Sequence, residues 1–182
     1  VVDALWDADA DMDKLMAWMY DSDTAAARKM FKQAMDHGVG SIPNAPEPLR
    51  QFFNVIEKTP AWLDKDLLNE GMSLIHGTGL ASTYVLRDLA LMGGYLLSGF
   101  NQSLVMTGAL NRGTKQRVAE TGKWWMNCTT PNGLERFGEG FKTTIHVRMV
   151  HALVRRNLAA RPDWDSSQWA LPTGAISTAR PM

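Results

Sequence analysis

Cysteine is nearly absent from this chain. Its one thiol, Cys128, among 182 residues excludes an internal disulfide and any metal site built from several thiolates. Net charge is also lacking: 19 basic residues balance 19 acidic ones, so no whole-chain field draws the protein to nucleic acid or to an anionic membrane. Long apolar runs are missing. The most apolar one, LALMGGYLLSGF, is twelve residues between Arg87-Asp88 and Asn101-Gln102, too short to span a bilayer and better suited to a buried core helix. No secretory signal precedes the first acidic residues, but the chain starts at Val1, so an upstream segment and the compartment stay open.

Period-two alternation is lacking as well, while apolar residues recur at helical spacing along most of the chain. The expected class is all-α, in one helical domain over residues 1–182, which at 45% hydrophobic is long enough to bury a sizeable core. Asp9 or Asp11 can cap a helix through Tyr20, and Ser22 a second one ending near His37, where Gly38 stops it. After the loop GVGSIPNAPEP, helices are expected over Pro48 to Lys58 and Asp64 to His76, with a break at Gly77 and Gly79. A central apolar helix should run from Leu80 to about Phe100, with the Gly93-Gly94 pair bending it or admitting a close neighbour. A shorter helix reaches Leu110, and Thr114 caps another through about Asn127. The turn-rich CTTPNGLERFGEG then leads into a helix over Gly140 to Leu158. The tail from Arg161 looks irregular, and its tryptophans suggest that something packs on it.

Familiar catalytic signatures are missing too. HGTGLAS, His76 to Ser82, half resembles a dinucleotide fingerprint, but it follows a helical pattern and lacks the third glycine. There is no Walker lysine motif, GxSxG elbow or HExxH, and no glutamate stands three residues before a histidine, as a di-iron bundle would want.

What is present is a basic stripe on an otherwise apolar helix. At about 100° per residue, Arg148, His151 and Arg155 of GFKTTIHVRMVHALVRRNL fall within an arc of about 60°. His146 lies about 140° from His151, so the two cannot ligate one ion from one face. A lone histidine in an apolar helix is ordinarily a hydrogen-bonded core residue. The arginines stay charged, however, and demand anions nearby unless the stripe is at the surface. Acidic side chains would answer that demand. So would heme b, which carries two carboxylates and takes an axial imidazole. No CxxCH is present for covalent attachment. A second stripe, Arg117, Thr121, Trp124 and Cys128, shares one face of the preceding helix. It reads either as ordinary packing with an arginine reaching for water or as a polar pair in an aromatic-walled pocket.

RVAETGKWW, TTPNGL, GEGFKTTIHVRMVHALVRRNL and WDSSQWALP together resemble the latex-clearing-protein (rubber oxygenase) and MpaB-type oxygenase family, from about Arg87 to Pro172. The resemblance implies an all-helical, globin-like heme-b protein that uses dioxygen to cleave carbon–carbon double bonds of an isoprenoid- or lipid-like substrate. It places the proximal iron ligand at His151, flanked by Arg148 and Arg155 as cofactor-binding residues, and a distal pair at Arg117 and Thr121. Arg117 would face charge developing on oxygen, and Thr121 would donate or relay a hydrogen bond. Where the family has a lysine able to ligate iron, this chain has Glu120, a candidate proton-handling group. A lysine-capped resting state is therefore not expected. Leu89, Met92, Leu96 and Leu97, with Gly93 and Gly94, could wall a greasy channel but read first as plain core. Family members extend beyond where this chain stops. The expected partners are a small apolar substrate and dioxygen, with no nucleic acid. The alternative function is a heme-binding sensor or carrier without turnover.

Overall fold

The computed structural model describes residues 8–93, 96, 98–108, 114–165 and 169. Among them the secondary structure is entirely helical, as the periodicity predicts. The helices are α1 (Ala10–Asp21), α2 (Thr24–His37), α3 (Glu47–Ile56), α4 (Lys65–Gly77), α5 (Leu80–Tyr84), α6 (Ser98–Met106), α7 (Thr114–Thr129) and α8 (Glu139–Ala159). A short 3-10 turn, Val39–Ser41, follows α2, and α5 runs on as π-helical turns over Val85–Met92. No described helix is long and apolar enough to cross a membrane.

Local capping chemistry accounts for most boundaries. Asp9 caps α1 by accepting from the Met12 amide at 3.2 Å. Asp64 caps α4 by accepting from Asp66 and Leu67, each at 3.0 Å. The cap of α2 is Asp23 rather than the expected Ser22; its carboxylate reaches the Ala25 and Ala26 amides at 2.9 and 3.2 Å. One residue nearer the helix, a carboxylate spans two open amides and adds negative charge at the positive end of the dipole. Gly38 ends α2 at φ +83°, a conformation that favours glycine.

The core is drawn from both ends of the chain. Met12, Leu15, Met16 and Met19 of α1 pack with Phe31 and Met35 of α2, Leu49, Phe52 and Phe53 of α3, and Ile145 and Ala152 of α8. Arg136, in the connector before α8, ties this core together from outside. Its guanidinium donates to the Ala34 and Met35 carbonyls at 2.9 and 3.1 Å and to Glu57 at 2.5 Å, so a cation sits at the negative end of α2.

The expected buried central helix is overturned. Leu89 is 73% exposed and Leu96 87%, and Leu80, Val85 and Met92 are exposed as well. A Cβ placed on Gly93 would meet nothing within 4 Å among the described residues. Leu97 and Gly94 lie outside the described residues. Apolar composition makes this segment costly to expose, but the core closes around α1, α2, α3 and α8 without it. In the tail, Trp164 packs edge to face on Trp169, with ring centroids 5.6 Å apart.

α7 and α8 form an antiparallel hairpin whose connector is crowded. A Cβ on Gly140 would lie 2.6 Å from the Asn127 carbonyl oxygen, 2.7 Å from Cys128 Cα and 2.8 Å from the Gly133 carbonyl oxygen. All three are backbone atoms that cannot swing aside. Gly140→Ala is therefore expected to lower stability by about 1–3 kcal/mol, measured by urea denaturation, by prying the two helices apart.

Candidate functional site

The stripe on α8 meets α1. Arg148 makes a two-pronged pair with Asp9, Nε to Oδ2 at 2.6 Å and Nη2 to Oδ1 at 2.8 Å. Its guanidinium also lies over the Phe52 ring, 5.1 Å from the centroid. Seven residues on, Arg155 donates from Nη2 and Nε to Asp13 Oδ1 at 2.6 and 3.1 Å. Asp9 is only 5% exposed and Arg155 only 3%, so both pairs lie in or beside the core. The anions facing the stripe in this structure are thus two carboxylates of the same chain.

Asp9 serves twice, as helix cap and as counterion. Burial pushes its carboxyl up, but the Arg148 hydrogen bonds and charge, the Met12 amide and the Arg155 charge together hold it below the usual carboxylate value. In the sequence Asp9 stands out as a helix cap, while Asp13 carries no expected role. The available signal was their spacing: residues four apart on a helix share a face and can answer two cations on a neighbouring helix.

His151 lies between these clamps. Its ring is half-buried, and Nδ1 is buried without a hydrogen-bond partner among the described residues. Burial lowers its pKa, the Arg155 charge lowers it further, and Asp9 opposes them without prevailing. The imidazole is therefore neutral at pH 7, the form that ligates a metal. An orphaned ring nitrogen on a neutral imidazole fits an axial ligand. His146 behaves as the ordinary reading expects: its ring is exposed, Nδ1 donates to the Lys142 carbonyl at 2.9 Å, and the ring stands edge-on to Phe31.

α7 turns its stripe toward α8. Trp124 Nε1 donates to Thr144 Oγ1 at 2.9 Å, and the Cys128 thiol reaches the Gly140 carbonyl at 3.7 Å and Thr144 Oγ1 at 3.5 Å. A step of four along α7 is thus answered by a step of four back along α8. Arg117 and Thr121 are both half-buried. Glu120, next to Thr121 in sequence, is exposed and accepts from Gln116 at 2.8 Å. Among the described residues no three His, Cys, Asp or Glu side chains cluster as a metal site. A porphyrin, which supplies four of the iron's ligands itself, needs only an axial side chain.

No protein-family model matches the chain. No solved structure matches it either. Among curated proteins it is similar to a rubber oxygenase of Streptomyces sp. (strain K30), with 26% identity over 176 residues. That alignment takes in 90% of this chain and 40% of the relative, so the similarity is distant, is to an oxygenase, and concerns less than half of that protein's length.

Proposed function

We propose that the protein is an oxygenase acting with dioxygen on an apolar, unsaturated, isoprenoid- or lipid-like substrate, and that it does so with heme b ligated by His151. The similarity to a rubber oxygenase supports the reaction class. The observation that carries the site is His151 itself, a neutral, half-buried imidazole with an unpartnered ring nitrogen. Heme b, when bound, supplies an iron centre for dioxygen chemistry. Arg148 and Arg155 serve the cofactor in this reading by locking the α8 face around His151, each held by an α1 carboxylate. Arg117 brings a permanent positive charge toward the reacting oxygen, and Thr121 a hydroxyl that donates or relays a proton. Glu120, exposed on the same helix, can exchange protons with solvent.

Purified protein should take up about one heme b per chain, released into acidified solvent because nothing tethers it covalently. A preparation that shows no Soret band after hemin is added would exclude the reading. Arg117→Ala should keep the heme content and lose about 100- to 1000-fold in turnover, since its charge acts on the reacting oxygen and not on the cofactor's attachment. Product analysis with an unsaturated isoprenoid or lipid separates turnover from a sensor or carrier using the same histidine. One observation favours a second reading, a helical interaction module without a cofactor: Asp9 and Asp13 already neutralise the stripe. The absorption spectrum decides between the two.

A further inference from the structure

On the side of α8 that carries His146, a cavity of about 310 Å³ opens between α1, α2 and α8. Its floor is apolar and rich in sulfur: Met16, Met19 and Met35 are buried around Phe31, and Met149 closes one wall. Unbranched thioether side chains adjust their rotamers at low cost and so can follow a flexible chain. The volume lies at the lower end of ligand pockets, roughly 300–1,000 Å³. It holds about ten non-hydrogen atoms, at the roughly 30 Å³ each that a water molecule occupies in the liquid.

The rim differs in character from the floor. Arg28, Lys32 and Lys142 stand at the mouth with one carboxylate, Asp36. Lys32 takes up Asp36 at 2.5 Å, and Lys142 lies 3.2 Å from Glu139 and 3.9 Å from Asp36. Arg28 has no ion pair or hydrogen bond among the described residues. An uncompensated guanidinium beside an apolar slot suits an anionic head on an apolar tail, and a carboxylate is the smallest head that pairs with it in two-pronged fashion.

We infer that this cavity binds a small anionic amphiphile, a free carboxylate with an unbranched apolar chain, its tail among the methionines and its head at Arg28. The inference is independent of the heme reading, because the site uses another face of α8. Decanoate is the probe, titrated into the 182-residue chain bearing ¹³C-methyl methionine. The Met16, Met19, Met35 and Met149 methyl signals should shift saturably, with decanol and decylamine binding more weakly. Arg28→Gln, an exposed and fold-neutral change, should weaken decanoate about fivefold to tenfold and leave decanol unaltered. His151→Ala should bind decanoate as the parent does, whatever becomes of the heme. Shifts confined to Met92 and Met126 on the exposed helices, parental decanoate affinity in Arg28→Gln, or binding to anionic phospholipid vesicles without binding to monomeric decanoate would each overturn the inference.

Discussion

His151→Ala is expected to abolish heme retention, leaving a protein whose Soret absorbance after hemin addition and gel filtration is near zero. His146→Ala should retain close to one heme per chain. The two residues are five apart on one helix and differ in circumstance. His146 donates to the Lys142 carbonyl and is exposed, so its removal costs one local hydrogen bond. His151 has a buried ring nitrogen with no hydrogen-bond partner among the described residues, and truncation there removes the proposed ligand. Circular dichroism of the apo-protein keeps the test clean, since the ion pairs on either side of His151 should hold α8 in place. The same imidazole gives the apo-protein a pH signature. Its folded pKa lies below the unfolded value of about 6.5, so the unfolded state binds the proton first. Stability contributed by neutral His151 is present above that value and is lost as pH falls below it. The alanine variant should show a flatter profile through this window. Equal heme loss in both variants, or loss in His146→Ala alone, would show that the axial assignment is wrong.

Asp9→Asn should destabilise the fold by about 3 kcal/mol or more, read from the shift of the urea midpoint. Asparagine keeps an acceptor for the Met12 amide, so the substitution isolates the charge from the cap. What remains is Arg148, largely buried against Phe52 with its counterion gone. Removing the stranded charge as well, Asp9→Asn with Arg148→Met, should recover most of the loss, because the cap acceptor for the Met12 amide stays and no unpaired guanidinium is left buried. Acid should act on the parent in the same direction. The folded-state pKa of Asp9 lies below its ordinary 3.8, so its contribution is present above that value and is lost as pH falls through the lowered one. Asp9→Asn should flatten the stability profile below about pH 4. A variant as stable as the parent would mean that the α1–α8 clamp contributes nothing.

Much of the local structure was legible in the residues. Asp9, Gly38 and Gly79 stand where a cap and breaks were expected, and α8 carries Arg148, His151 and Arg155 on one face. The shift from Ser22 to Asp23 as cap involves two residues with similar capping chemistry, between which tertiary context and charge decide. The central apolar segment failed for a different reason. Leu89 and Leu96 signal that burial would be favourable, but burial also needs a facing surface, and none is written in a helix's own periodicity.

The candidate site divides along the same line. The periodicity of α8 determines that two arginines and a histidine share a face, and their chemistry determines that anions must meet them. These are properties of a helix and its side chains, present before any packing. Which anions answer the arginines depends on residues about 140 positions away. Only the docking of α1 on α8 brought Asp9 to Arg148 and Asp13 to Arg155. The same packing leaves His151 with a lowered pKa and a ring nitrogen buried without a partner among the described residues, while His146 finds a carbonyl one turn away. Spacing specifies a face because helix geometry is local. The partner of that face is chosen by the packing of the whole chain.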